Sequence, residues 1–125
     1  MSPFPLARSL GIEIETLGEG HAKGTITLAE DHKNPHGSVH GGVIFTLVDT
    51  AMGAAAMSVL AEGEMCASIE VHMRFIRPVF EGTVTADTKV IHRGKRVVQL
   101  DGSVTGADGK LVATATASFA VIPLA

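Results

Sequence analysis

Apolar and polar residues alternate along most of this chain, and in one place the alternation stops. Ile12-Glu-Ile-Glu-Thr-Leu17 alternates over most of its length and predicts a half-buried strand. Gly18-Glu-Gly20 reads as a turn, and His21 to Leu28 as a second strand paired with the first in a hairpin. Four further strands are predicted late in the chain. Ala67, Ile69, Val71, Met73 and Phe75 alternate with Ser68, Glu70, His72 and Arg74, and Pro78 stops that strand. Thr83 to Arg93 is rich in Val and Thr. Gly94-Lys95 turns into Arg96 to Thr105, and Gly106-Ala-Asp-Gly109 turns into Lys110 to Ile122. There Leu111, Ala113, Ala115, Ala117, Phe119 and Val121 face one way, and Thr114, Thr116 and Ser118 the other. Pro3 to Leu10 predicts a short helix closed by Gly11.

The exception is the stretch from Asn34 to Leu60. Its first part, through His36 and the loop ending at Val39, is polar and glycine-rich. From Gly42 to Leu60 there is no proline, and Ala, Leu, Met, Val and Ile dominate. As a helix this run would be about 28 Å long, and it is apolar on almost every side. A membrane span fits on length alone. It is disfavoured by Asp49, Thr46, Thr50 and Ser58 inside the run and by the lack of a basic flank. The helix is expected at about 41–61, ended by Gly63, under an antiparallel sheet that curls around it. One thin sheet would leave apolar helix uncovered, which points to a second subunit. The long last strands would leave open edges that an edge-to-edge dimer could close.

Asp49 conflicts with its neighbours, because an ionised carboxylate among apolar side chains is costly unless something compensates it. One reading is structural, a bond to nearby backbone or a buried Arg. The other is chemical: a poorly solvated carboxylate is a stronger base. His40-Gly41-Gly42 at the helix entry leaves free N–H groups at the positive end of the helix dipole, a candidate anion or oxyanion site.

Composition narrows the field. The chain has 125 residues, enough for one domain spanning 1–125. Its net charge of −3 creates no general attraction to nucleic acid. Cys66 is the single cysteine, so no intramolecular disulfide is available, and no Cys/His spacing suits zinc. We expect Cys66 to be a core or strand residue. No Gly-x-Ser-x-Gly elbow occurs. No metal or cofactor is expected, and neither is a membrane segment. The first residues lack a signal-peptide pattern, so the expected location is cytoplasmic.

Several motifs in order carry a family resemblance: Asn34, six residues before His40; His40-Gly41-Gly42; Asp49; Ser68-Ile-Glu-Val-His-Met-Arg-Phe-Ile-Arg-Pro78; and Arg93-Gly-Lys-Arg96. From about Glu13 to Pro123 the chain resembles the hotdog-fold thioesterases, in particular the PaaI-like, phenylacetic-acid-pathway branch of the 4-hydroxybenzoyl-CoA thioesterase superfamily. The resemblance implies an α+β hotdog fold, with a curved sheet of about six strands around the central helix. It also implies a homodimer with active sites at the subunit interface, a dimer of dimers, and hydrolysis of an aromatic or medium-chain acyl-CoA.

Residue by residue, the resemblance gives Asp49 the role of nucleophile or of base for water, and both remain open. Gly41 would bind the thioester oxygen through its N–H, with Gly42 beside it. Asn34 would lie near the reacting group, His40 is the motif histidine, and Ser68 would help position Asp49 or the water. Asn34 and Gly41 would come from one subunit, and Asp49 and Ser68 from the other. Six of the ten basic residues lie between positions 74 and 96. Among them Arg77, Lys95 and Arg96 are candidates for the CoA phosphates; the plainer reading is solvated strand ends. The acyl lining is expected among Phe45, Met52, Met57 and Ile76. Two other functions compete: a non-catalytic acyl-CoA-binding hotdog protein, and a thioester dehydratase or hydratase.

Overall fold

A six-stranded antiparallel sheet curves around one long helix in the computed structural model, which describes residues 4–124. In chain order the elements are α1 (Pro5–Leu10), β1 (Glu13–Gly18), β2 (His21–Thr27), α2 (Gly41–Met57), β3 (Glu64–Phe75), β4 (Thr83–Arg93), β5 (Val97–Thr105) and β6 (Leu111–Pro123). The sheet order is β1-β2-β4-β5-β6-β3. This is the α+β hotdog architecture. The expected start of α1 at Pro3 lies outside the described residues; as described, the helix follows Phe4 and closes on Gly11, which takes a φ of 76°.

Helix α2 forms because one of its faces has a sheet to pack on. Ile44, Leu47, Val48, Ala51, Met52, Ala55 and Ala56 recur at helical spacing, and all are buried. The other face carries Phe45, Thr46, Asp49, Thr50, Gly53 and Met57. Phe45 is 38% exposed and Met57 47%, so the chain's own sheet leaves this face open. No helix among the described residues is long and apolar enough to cross a membrane.

The helix approaches β2 closely at Gly24. A Cβ there would stand 2.9 Å from Leu47 Cδ1, 2.9 Å from Ile14 Cδ1 and 3.3 Å from Ala51 Cβ. Gly24→Ala should therefore destabilise the fold by about 1–3 kcal/mol through overpacking. Urea denaturation reads this as a lower midpoint; an unchanged midpoint would show that the helix shifts without strain.

Three sequence expectations need correction. First, α2 ends at Met57, about a turn earlier than expected, and Gly63 does not end it. Ser58 does: its hydroxyl donates to Ala55 O at 2.7 Å and accepts the Gly20 N–H at 2.7 Å, tying the helix end to the β1–β2 turn. Val59 and Leu60 then bond three residues back, in a tightened last turn. Second, the open edges are β1 and β3. The last strands are not edges, because β6 inserts between β5 and β3 and both of its sides are paired. Third, Leu111 is 40% exposed and does not join the inner row, because the β5–β6 register shifts between Val104 and Thr105.

Strand β3 begins at Glu64 and carries a bulge. Ser68 pairs with Phe119 and Glu70 with Ser118, leaving Ile69 as the extra residue. Cys66 before the bulge and Val71 and Met73 after it all pack against the core. The bulge thus puts Cys66 and Ser68 on the side of Val71 and Met73, whereas plain alternation would group both with Glu70, His72 and Arg74.

Candidate active site

Two clefts lie toward opposite ends of α2. At the N-terminal end, His40 caps the helix: its Nδ1 accepts the Gly42 N–H at 2.8 Å, and its backbone carbonyl accepts from Val43. An accepting Nδ1 places the ring hydrogen on Nε2. The Gly41 N–H has no acceptor among the described residues. Gly41 also packs against the ring of Phe75, where a Cβ would stand 3.2 Å from Cζ. Gly41, Val39, Ile44, Phe75, Ile76 and Arg77 line a cleft of about 340 Å³.

Asn34 lies in the preceding loop. Its Oδ1 accepts from the His36 N–H at 2.9 Å, and its Nδ2 donates to Ser38 Oγ at 2.9 Å. The loop is held in shape by these bonds and by the bridge between Lys33 and Val39. One Nδ2 hydrogen of Asn34 is left without a partner among the described residues.

Asp49 sits two turns along α2, about 12 Å from Gly41 by helical rise. It lines a cavity of about 840 Å³ with Gly53, Met57, Met65, Cys66, Ser68 and others. Burial among these neighbours pushes the Asp49 carboxyl above its ordinary 3.8. The carboxylate makes no hydrogen bond or ion pair with any described residue, so no structural partner holds it among them. Cys66, expected as a core or strand residue, is on β3 and faces this cavity. Its thiol lies 3.9 Å from the Gly53 carbonyl oxygen. Burial first, and the Asp49 charge second, push the thiol upward and hold it protonated, which is unfavourable for a nucleophile.

The structure therefore brings Asp49 and Ser68 together, and separately groups His40, Gly41 and Gly42; within one chain the two sets stay apart. Of the four residues expected in the acyl lining, Phe45 does not line the Asp49 cavity and Met57 does. Met52 does not, because it is fully buried beneath the sheet, and Ile76 lies in the Gly41 cleft. Phe4, Thr16 and Met65 also line the Asp49 cavity, and sequence pattern had no means of placing them there.

The three basic candidates also divide. Arg77 Nη2 donates to both carboxylate oxygens of Asp108, at 2.9 and 2.8 Å, and Nε donates to Leu111 O at 3.1 Å. That ties Arg77 to the β5–β6 turn. Lys95 and Arg96 are exposed in the β4–β5 turn, at the other end of β5 and roughly 30 Å away by strand rise. Their end is also the Asp49 end. Val121 donates to Arg96 O at 2.9 Å, and Arg93 pairs with Glu64 at 2.7 Å where β3 begins.

This chain belongs to the thioesterase superfamily, whose family model matches residues 36–113. It is similar to the acyl-coenzyme A thioesterase PaaI of Escherichia coli K12, at 37% identity over 86% of this chain and 75% of that protein. The solved structure of the E. coli PaaI protein, from the phenylacetic acid degradation operon, superposes with a TM-score of 0.89. That match has 33% identity and covers 98% of this chain and 88% of the other. A 1,4-dihydroxy-2-naphthoyl-CoA hydrolase of Listeria monocytogenes is 28% identical over 93% of this chain and 94% of its own length.

Proposed function

We propose that this chain, as a single domain over 1–125, is an acyl-CoA thioesterase acting on an aromatic or medium-chain acyl group. The observation that carries the reading is Asp49: a carboxylate in an apolar cavity, with its basicity raised and no partner among the described residues. Water adds to the thioester carbonyl as Asp49 takes its proton, the C–S bond breaks, and CoA leaves as a thiolate that needs little protonation. In the alternative route the Asp49 carboxylate itself attacks, and water then cleaves the resulting anhydride. Either way, negative charge grows on the carbonyl oxygen, and the unpaired Gly41 N–H is a fixed donor for it. The names of the E. coli and Listeria relatives both describe CoA thioester substrates, and the Listeria name an aromatic one.

The working unit is a homodimer. Strand β3 is an open edge of 12 residues, with Met65, Ile69 and Phe75 exposed along it. Pairing β3 with its two-fold copy in antiparallel fashion sets the Phe75 end of one chain beside the Glu64 end of the other. Gly41 and Asn34 of one subunit then face Asp49 and Ser68 of its partner. The same pairing moves Arg77 of one subunit toward Lys95 and Arg96 of the other, where CoA phosphates would bind. Two such dimers associate as a tetramer.

The test is CoA release from phenylacetyl-, hydroxybenzoyl-, octanoyl- and palmitoyl-CoA. Turnover of an aromatic or medium-chain member supports the reading. Tight binding of acyl-CoA with no release from any of the four would replace it with the binding-protein function.

A further inference from the structure

Gly53 is a glycine without a conformational reason to be one. It sits in the interior of α2, where glycine is less favourable than alanine, and its φ is not positive. No backbone from another element lies within 4 Å of where its Cβ would stand. A Cβ built on Gly53 would meet only Phe119 Cε2, at an ordinary 3.8 Å. Gly24, by contrast, is hemmed in by three side chains. What the missing side chain at Gly53 leaves is space. Gly53 is one helical turn beyond Asp49 on the open face of α2, and it lines the same cavity. The floor then continues past Ala54 to Met57, with Met65 and Phe4 beyond.

We propose that Gly53 is the specificity-determining residue that sets how far an acyl chain can run past Asp49. The inference rests on the reading of Asp49 as the reaction centre. Position 53 lies about 6 Å along the helix from Asp49 and Met57 about 12 Å. An acetyl group ends before position 53, whereas an octanoyl or phenylacetyl group must pass over it. A side chain there would stand in the path of the longer groups and leave the shorter ones room.

The experiment compares kcat/KM for octanoyl- or phenylacetyl-CoA, whichever the wild type turns over faster, with kcat/KM for acetyl-CoA. The variants are Gly53→Ala, Gly53→Val and Gly53→Leu. The long-to-short ratio should fall stepwise along the series, reaching a loss of roughly 10- to 200-fold, the discrimination one side chain provides in an apolar pocket. Gly53→Ala should melt at or above the wild-type temperature, which keeps the test valid if Gly53→Leu does not fold. An unchanged ratio in folded Gly53→Ala and Gly53→Val overturns the inference, as does a wild type that prefers acetyl-CoA. A wild type that hydrolyses no acyl-CoA removes the thioesterase reading itself, and this inference with it; an active wild type with an unshifted ratio removes this inference alone.

Discussion

Asp49→Asn should lower kcat by about 10² or more while the protein stays folded. Asparagine keeps the shape of the side chain but can neither attack a carbonyl at a useful rate nor take a proton from water. The pH dependence should carry the same signature. The working form is the carboxylate, so the wild-type rate should fall as pH drops through the Asp49 pKa, and that pKa lies above 3.8 because of burial. The stability effect has the opposite sign to the activity effect. For a carboxyl whose folded pKa is raised, the folded state holds the proton more tightly than the unfolded state does. Stability is therefore lost as pH rises from 3.8 through the raised value. Asp49→Asn removes that ionisation penalty. Thermal melts should show the variant more stable than wild type at neutral pH, with the difference shrinking in acid. Wild-type kcat in the variant would return Asp49 to a structural role.

Gly41→Val should cost about 10² in kcat, the loss typical of a displaced oxyanion donor. Any side chain at Gly41 meets the ring of Phe75 at close to 3.2 Å, so the helix entry must tilt and the free N–H loses its aim. The stronger form of the experiment mixes two inactive proteins. If each site takes Gly41 from one subunit and Asp49 from the other, a mixed dimer of Asp49→Asn and Gly41→Val has one intact site and one doubly damaged site. Random subunit exchange should then restore about a quarter of wild-type activity. If each site were built within one chain, the mixture would stay as inactive as its parts. Recovery on mixing is a qualitative result and does not depend on knowing the preferred substrate.

Much of the fold was legible because its periods are clear. The strands alternate with a period of two, and α2 repeats Ile44, Leu47, Val48, Ala51 and Met52 at helical spacing. The end of α2 was harder to read. Ser58, Val59 and Leu60 have the composition of helix, and the bond that stops it reaches Gly20, 38 residues away in sequence. Strand order was out of reach for a similar reason, since nothing local shows that β6 passes between β5 and β3. At the site, Asp49 stood out because a lone carboxylate in an apolar helix is anomalous at any distance from its neighbours. The cavity beside it did not. It is assembled from Phe4, Thr16 and the Met65–Cys66 pair, which come from three separate stretches of the chain. Arg77, Lys95 and Arg96 form one cluster in sequence and two in space, because β5 carries its two turns to opposite ends of the sheet.

The bulge at Ile69 makes chain length, more than residue identity, responsible for where Ser68 points. Between Glu64 and Phe75 the strand has one more residue than the stretch of β6 it pairs with, Ala113 to Pro123. Exchanging Ile69 for another residue preserves that surplus. Losing one codon there removes it, turning every side chain from Glu64 to Ser68 onto the opposite face while leaving each of those residues intact in the gene. Two genes could thus encode the same serine in the same motif and differ in whether it faces the carboxylate. For this stretch of the protein, counting residues between anchors carries information about the site that matching letters does not.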